Sequence, residues 1–238
     1  MKLSIIIPVF NEEKTISEML RKVNEIKISG VEKQVIVIND GSTDATASTI
    51  QNSKLKIQNF EYTEHSKNQG KGAAVRTGIK NATGDYIIIQ DADLEYNPED
   101  IRKLVMPVLE SAIKVVYGTR LKRLPNFSKE ERTPQFLLHY IGNKFLSLLT
   151  SILYGQWITD METCYKLFPK KAVEGMRLNA RRFEFEPEIT AKLLKKGYKI
   201  LEIPISTKPR GYDEGKKLNT FRDGTIALWN LLKYRFVE

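Results

Sequence analysis

The chain has 238 residues, which suffices for one large α/β domain or for one domain with C-terminal additions. Hydrophobic residues make up 41% of the chain and charged residues 28%, a composition that excludes global disorder. The net charge of +9, from 38 basic and 29 acidic residues, favours partners that carry negative charge: nucleic acid, an anionic membrane or a phosphorylated substrate.

Short apolar runs alternate with helical patterns over the first 120 residues. Strands are predicted at Leu3–Val9, Val35–Ile38, Ile57–Tyr62, Tyr86–Gln90 and Lys114–Tyr117. Helices are predicted at Glu12–Ile26, after the turn Gly41–Asp44 with Ser42 or Thr43 as N-terminal cap, at Gly72–Ala82 and at Pro98–Ala112. This alternation predicts the α/β class, with a single Rossmann-like, doubly wound, mostly parallel sheet and helices on both faces.

The pattern changes after Gly118. A polar loop-like stretch over 121–134 precedes an amphipathic helix near 135–155, in which Leu138, Ile141, Phe145, Leu148 and Ile152 recur at three- and four-residue steps. That stretch is too polar for a clear membrane span, and it could dock on a membrane interface or pack in the core. The remaining predicted elements are a strand at Tyr165–Phe168, a helix at Pro187–Lys196, a strand at Lys199–Ile203 and a C-terminal helix at Thr220–Phe236.

The motif Asp91-Ala92-Asp93 follows the predicted strand Tyr86–Gln90 directly. Two carboxylates at the carboxyl end of a buried strand suit a divalent metal that is held against a phosphate, because Mg²⁺ and Mn²⁺ prefer oxygen ligands. Open parallel sheets bind their ligands at that same edge. The motif therefore predicts a site for Mg or Mn beside a phosphorylated ligand.

Four motifs in this order resemble those of family-2 glycosyltransferases, which have the GT-A fold: Ile7–Glu13, Val37–Asp44, Asn68–Gly72 and Asp91–Asp93. The resemblance implies a single GT-A domain over residues 1–238. Its half 1–120 would bind the nucleotide sugar and the metal, and its half 121–238 would bind the acceptor.

The resemblance also implies roles for particular residues. Residues expected to bind the nucleotide sugar are Pro8, Val9, Phe10, Glu12, Asp40, Lys71, Asp91 and Ala92, with Arg76 as a further candidate at the diphosphate. Asp91, Asp93 and Glu95 are the expected metal ligands, although the prenyl-phosphate branch of the family commonly has a glutamine at the position of Glu95.

The closer resemblance is to dolichyl- and polyprenyl-phosphate sugar transferases. It is carried by Tyr117–Arg120, by Thr159–Phe168 with Cys164-Tyr165 in place of the usual Gly-Phe, and by Arg182–Glu188. Because arginines bind the lipid phosphate in that branch, the candidates here are Arg120, Arg132 and Arg210, with Lys216 and Lys217 nearby in sequence. The expected catalytic residues are Asp93, Asp160 and Arg120.

The expected reaction is an inverting displacement that moves a hexose from GDP-mannose or UDP-glucose to a polyprenyl phosphate. An ionised phosphate attacks unaided, whereas a hydroxyl acceptor would need a carboxylate base, and Asp160, Glu162, Glu186 and Glu188 are candidates. His65 and His139 are expected to be structural. The alternative is a saccharide or small-molecule acceptor. A sugar nucleotidyltransferase would need a glycine-rich nucleotide-binding loop near the N-terminus, and Pro8–Glu13 contains no glycine. A nucleic-acid-binding protein would leave Asp91 and Asp93 unexplained.

A cytoplasmic protein is expected, because the single cysteine, Cys164, cannot form an internal disulfide and no signal peptide is evident. With no predicted membrane span, a lipid-linked acceptor implies peripheral docking on the cytoplasmic face of the membrane through the helix near 135–155 and its basic neighbours. We also expect no nucleic-acid partner, and the resemblance leaves room for a membrane-protein partner.

Overall fold

A computed structural model describes residues 1–53, 57–121, 133–208 and 220–237 of the chain. Within these residues the strands are β1 (Lys2–Val9), β2 (Glu32–Asn39), β3 (Phe60–Glu64), β4 (Tyr86–Ile89), β5 (Val115–Thr119), β6 (Lys166–Pro169) and β7 (Ile200–Pro204). The helices are α1 (Ile16–Glu25), α2 (Thr46–Ser53), α3 (Lys71–Asn81), α4 (Asp100–Glu110), α5 (Pro134–Tyr154), α6 (Lys170–Val173), α7 (Phe185–Lys195) and α8 (Thr220–Phe236).

The seven strands form one sheet in the order β3-β2-β1-β4-β6-β5-β7. All adjacent pairs are parallel except those of β6, which is antiparallel to both β4 and β5. The carboxyl ends of the other six strands therefore share one edge of the sheet. The chain that enters β6 reaches that same edge, because β6 runs in the opposite direction.

The core lies on both faces of the central strands. Residues 3–9 of β1 and 34–39 of β2 are buried without interruption, and successive strand residues point to opposite faces. Continuous burial therefore means that both faces are covered, as expected for a doubly wound sheet. The edge strands β3 and β7 are only partly buried. The structure confirms the predicted α/β class and the mostly parallel sheet.

Several element boundaries differ from those that the sequence predicts. Helix α1 begins at Ile16 rather than Glu12, and the backbone N–H of Glu12 donates to Thr46 Oγ1. Strand β3 begins at Phe60 rather than Ile57, where its pairing with Val35 of β2 starts.

The predicted N-terminal cap of α2 is wrong. Neither Ser42 nor Thr43 caps that helix; Asp44 Oδ1 accepts the Thr46 N–H at 3.0 Å. Ser42 Oγ instead accepts the backbone N–H of Asn11, 3.0 Å away, which ties the second-strand turn to the end of β1. The short helix α6 was not predicted, and an isolated four-residue helix carries too few positions for a periodic signal.

Helix α5 is amphipathic, but its apolar face points outward and its polar face points toward the protein. Its apolar stripe is exposed: Leu138, Ile141, Phe145, Leu148 and Ile152. The face turned to the protein carries buried polar residues: Asn143, Ser147, Thr150 and Ser151. Among the described residues, one segment, Phe136–Tyr154, is long and apolar enough to cross a membrane by length and composition alone, and 22% of it is buried. Of the two possibilities for this apolar stripe, packing in the core and docking on a membrane interface, the structure excludes packing in the core.

Candidate active site

A cavity of about 440 Å³ opens at the edge of the sheet where the parallel strands end. Except for Arg76, it is lined by the residues predicted to bind the nucleotide sugar or a metal: Pro8, Val9, Phe10, Glu12, Asp40, Lys71, Asp91, Ala92, Asp93 and Glu95. Arg120 lines it as well. The ends of β1, β2, β4 and β5 and the start of α3 bring these residues together, as expected from the shared edge.

Asp40 holds the loop that leads into α3. Its Oδ1 lies 2.7 Å from His65 Nδ1 and accepts the Gln69 N–H at 3.0 Å, while its Oδ2 accepts the Gly70 N–H at 2.7 Å. The other ring nitrogen of His65 lies 2.9 Å from Thr77 Oγ1, so this histidine is fixed on both sides. Asp40 therefore has a structural task beside the predicted contact with a nucleobase or ribose, and His65 has the structural role expected of it.

Gly70 allows the segment around Arg181 to approach this loop. Its φ of +96° lies in the left-handed region, and a Cβ there would overlap the Arg181 carbonyl oxygen. The same carbonyl accepts the Ala73 N–H at 3.0 Å. This close approach brings Arg182 and Phe183 into the cavity wall beside the start of α3. Neither residue was among the predicted site residues, although both lie in the motif Arg182–Glu188.

Lys71 joins two carboxylates in the cavity. Its Nζ lies 2.9 Å from Asp91 Oδ1 and 3.0 Å from Glu186 Oε1. Burial acts to lower the pKa of Lys71, but the two carboxylates, Asp91 foremost, hold it well above its ordinary value. The ammonium is therefore a permanent positive charge at the N-terminal end of α3, where a helix already favours anions.

Arg76, the other candidate for the diphosphate, does not line the cavity. Its Nη1 donates to the Leu178 carbonyl at 3.0 Å and ties α3 to the segment before α7. The expectation that Arg76 faces the diphosphate is therefore wrong. Arg76 lies five residues, or about 1.4 turns, after Lys71 and therefore points to a different side of α3.

The predicted metal ligands lie together but do not form a preformed cage. Asp91, Asp93 and Glu95 line the cavity, and Asp93 Oδ1 accepts the Glu95 N–H at 3.0 Å. Across the described ranges, no three His, Cys, Asp or Glu side chains are arranged to hold a metal ion. The donor set is nonetheless all oxygen, and Mg²⁺ is commonly held by one or two carboxylates plus substrate phosphates. These residues therefore fit a metal that arrives with a diphosphate.

Arg120, which is partly buried, and Asp160, which is fully buried, form a bidentate pair at the end of β5. Arg120 Nε donates to Asp160 Oδ2 at 2.8 Å and its Nη2 to Oδ1 at 2.7 Å, while the Arg120 backbone N–H also reaches Oδ2. Although burial acts against both charges, each holds the other ionised: the pKa of Asp160 is lowered and that of Arg120 is raised. Asp160 is fully buried and does not line the cavity, so it positions Arg120.

Helix α5 and strand β7 hold the turn that carries Asp160. Asn143 Nδ2 donates to Asp160 Oδ1 at 2.7 Å, and Ser147 Oγ accepts the Met161 N–H at 2.9 Å. From β7, the Glu202 carboxylate accepts the N–H groups of Thr159 and Asp160. The polar residues that interrupt α5 therefore build the back of the site. His139, one turn before Asn143, lines the cavity, a position that the i, i+4 polar spacing of α5 indicates.

The segment before β6 supplies cavity residues that the sequence did not indicate as ligand-binding. Glu162 and Cys164 line the cavity together with Glu186 and Tyr96. Cys164 is buried, and that burial raises the pKa of its thiol, as is typical of an unreactive cysteine. The sequence indicated Glu162 and Glu186 only as candidate bases. The antiparallel insertion of β6 beside β4, which brings Glu162 to the cavity, was not predicted.

Glu188, another candidate base, is a structural residue. It is fully buried, and its carboxylate accepts the N–H groups of Asn179 and Ala180 and pairs with Lys192 Nζ at 2.9 Å. Two of the three predicted phosphate-binding arginines, Arg132 and Arg210, lie outside the described residues, as do Lys216 and Lys217. The predicted acceptor site is therefore represented in the structure by Arg120.

Residues 4–176 match the family model described as glycosyl transferase family 2. The UDP-N-acetylglucosamine–dolichyl-phosphate N-acetylglucosaminyltransferase of Methanococcus voltae is 29% identical, over 90% of this chain and 89% of that protein. The dolichol-phosphate mannosyltransferase of Pyrococcus furiosus is 27% identical, over 98% of this chain and 64% of that protein.

The fold is also found in a solved structure of low sequence identity. Glucosyl-3-phosphoglycerate synthase from Mycobacterium tuberculosis, crystallised with Mn²⁺, UDP and phosphoglyceric acid, superposes with a TM-score of 0.73. The two sequences are 17% identical, and the match covers 100% of this chain and 79% of that one. This likeness establishes the fold that the two proteins share.

Proposed function

The chain belongs to glycosyl transferase family 2 and has the GT-A fold, and we propose that it moves a hexose from a nucleotide sugar to a polyprenyl or dolichyl phosphate. Glycosyltransferase activity follows from the family. The polyprenyl-phosphate acceptor is supported by relatives that are named for dolichyl-phosphate transfer and match most of this chain. These relatives are named for the transfer of different sugars. GDP-mannose and UDP-glucose therefore both stay candidate donors, and UDP-N-acetylglucosamine is a third.

The observation that carries the proposal is the division of charge within one cavity. Asp91, Asp93 and Glu95 lie with Lys71 at the ends of β4 and the start of α3, where a diphosphate and its metal would sit. Arg120 lines the same cavity from the end of β5. Asp160 engages its Nε and Nη2, so the pair leaves Nη1 outside it. A fixed guanidinium suits a phosphate oxygen, which makes Arg120 the candidate contact for an acceptor phosphate.

The residues support an inverting single displacement. Lys71 would offset the charge of the departing nucleoside diphosphate, while Arg120 would orient the acceptor phosphate for attack on the sugar carbon. A phosphate monoester is largely ionised at neutral pH, with a second pKa of about 6, so the attack needs no base. Asp91, Asp93 and Glu95 would hold Mg²⁺ or Mn²⁺, which when bound supplies Lewis-acid stabilisation of the leaving diphosphate.

The exposed apolar stripe of α5 supports peripheral docking on the cytoplasmic face of a membrane. Ile141 is 63% exposed and Ile152 is 70% exposed; Trp157, which follows α5, and Trp229, on α8, are also exposed. Exposed apolar stripes with interfacial tryptophans suit the boundary between headgroups and acyl chains. The net charge of +9 would add attraction to anionic lipids.

Transfer is tested with radiolabelled nucleotide sugars and a short polyprenyl phosphate in detergent, with Mg²⁺ or Mn²⁺. We expect label to enter the lipid phase with the wild-type chain and not with Asp93→Asn. Asp85→Asn is the matched control, because Asp85 is exposed and lies outside the cavity. Nucleotide-sugar binding without label in lipid would refute the lipid acceptor.

Docking is tested by flotation with vesicles that contain anionic lipid. Leu148→Ser on the stripe should weaken flotation, whereas Leu109→Ser on α4 should not, because the two leucines are similarly exposed at 46% and 40%. Equal flotation of both variants and the wild type would count against the stripe as the docking surface.

One observation favours a second acceptor class, a saccharide hydroxyl. Burial, together with the Glu186 carboxylate, raises the pKa of Glu162 above its ordinary value, and Glu162 lines the cavity. A carboxylate of raised pKa is a suitable general base for a hydroxyl. In the transfer assay this alternative predicts label in a water-soluble product.

A further inference from the structure

Two carboxylate oxygens in the cavity wall lack hydrogen-bond donors. Glu162 Oε1 and Glu186 Oε2 are both buried, and no residue in the described part of the chain donates to either. Glu186 is only 4% exposed, and its other oxygen pairs with Lys71. A buried carboxylate oxygen without a hydrogen-bond donor destabilises the folded protein, so its presence in a native structure suggests a ligand that donates to it.

The backbone around Glu162 is fixed from behind. Lys166, which is fully buried on β6, donates from its Nζ to the carbonyls of Met161 and Thr163, on either side of Glu162. The same ammonium lies 4.7 Å from the centre of the Tyr117 ring. From α5, Asn143 Oδ1 accepts the Glu162 N–H. Glu162 is thus presented to the cavity by a rigid support.

The chemistry of this pair points to a neutral ligand with several O–H donors. Burial and the Glu186 carboxylate raise the pKa of Glu162, so the negative charge of the pair lies mainly on Glu186, where it repels phosphate. Lys71, 3.0 Å from Glu186 Oε1, makes a second cation unfavourable. Hydroxyl groups donate to a carboxylate and both donate to and accept from a protonated carboxyl, so they satisfy the oxygens of both residues without adding charge. Because Glu186 shares Lys71 with Asp91, this subsite adjoins the place proposed for the diphosphate, where the transferred sugar would begin.

We infer that Glu162 and Glu186 form the subsite that receives the hydroxyls of the transferred sugar, and that Glu162 contributes to the choice among sugars. This inference rests on the proposed function, since it takes a nucleotide sugar as the ligand. It assigns both carboxylates to the donor, whereas a base would act on the acceptor.

The test is a comparison of affinities by isothermal titration calorimetry on the full chain with Mg²⁺ or Mn²⁺. UDP and GDP are titrated beside UDP-glucose, UDP-N-acetylglucosamine and GDP-mannose, with wild type, Glu162→Gln and the control Glu174→Gln, whose glutamate is exposed and outside the cavity. We expect Glu162→Gln to weaken the binding of the preferred nucleotide sugar by about threefold to tenfold, which is typical of a lost hydrogen bond, and to leave the binding of the nucleoside diphosphate unchanged.

A second measurement does not depend on a variant. Donors that lack single sugar hydroxyls should bind the wild type more weakly at the position that Glu162 contacts, and Glu162→Gln should add no further loss for that deoxy donor. If the wild type binds a nucleotide sugar and Glu162→Gln binds it equally, the subsite assignment is wrong. The subsite assignment is also wrong if Glu162→Gln lowers the transfer rate but not the affinity for the nucleotide sugar. A wild-type chain that binds no nucleotide sugar would refute the proposed function itself.

Discussion

Replacement of Asp160 by asparagine tests the buried pair that positions Arg120. The carboxylate accepts from Arg120 Nε, Arg120 Nη2, the Arg120 backbone N–H and Asn143 Nδ2, at 2.7–2.9 Å. An asparagine keeps one acceptor oxygen, so its amide group must face donors on one side whichever way it turns. The substitution also leaves the guanidinium without its counter-charge.

The expected cost follows from the burial of the two side chains. Breaking a buried ion pair by removal of one partner costs about 3–5 kcal/mol. The Asp160 side chain is fully buried, but 21% of the Arg120 side chain is exposed and can be hydrated, so we take the lower end, about 3 kcal/mol. For a chain of this size, that corresponds to a fall of about 6–12 °C in the midpoint of thermal unfolding.

Thermal and urea unfolding of Asp160→Asn, Arg120→Met and the double variant measure this coupling. The double variant should be less destabilised than the sum of the single variants, because no buried charge is left unpaired. Unfolding of Asp160→Asn at the wild-type temperature, or strict additivity in the double variant, would show that the pair does not hold Arg120 as we infer.

Three further predictions concern packing, helix ends and the metal. Gly78→Ala should destabilise the protein by about 1–3 kcal/mol, because the added Cβ would overlap the buried side chain of Ile6, whereas Gly142→Ala in α5 has open space and should be neutral or stabilising; equal effects in urea unfolding would contradict this packing. Lys33→Met should cost about 1 kcal/mol in the same assay, since Lys33 Nζ donates to two carbonyls at the end of α1, and an unchanged midpoint would show that this capping contributes nothing. Chelation with EDTA should abolish sugar transfer and excess Mg²⁺ or Mn²⁺ should restore it, while transfer that survives EDTA would refute metal dependence.

The residues at the carboxyl ends of the strands could be predicted because their signals are local. Runs of β-branched residues locate β1, β2 and β4, and the parallel order then places Phe10, Asp40 and Asp91 at one edge. The roles of these residues as ligands stay predictions. The prediction for Arg76 was wrong because it depends on which side of α3 faces the cavity. That side is set by how the helix packs, which is not a local property of the sequence.

The amino-acid sequence by itself determined the fold class, the order of the strands and of the helices other than α6, and which motifs end at the cavity, since hydrophobic periodicity and turn residues act over a few positions. The tertiary structure decided that β6 runs antiparallel between β4 and β5, which brings Glu162 to the cavity. It also decided that α5 turns its polar face inward, because Asn143 and Ser147 satisfy the turn that carries Asp160. These outcomes depend on hydrogen bonds between residues distant in sequence, and burying polar groups is favourable only when such partners are present.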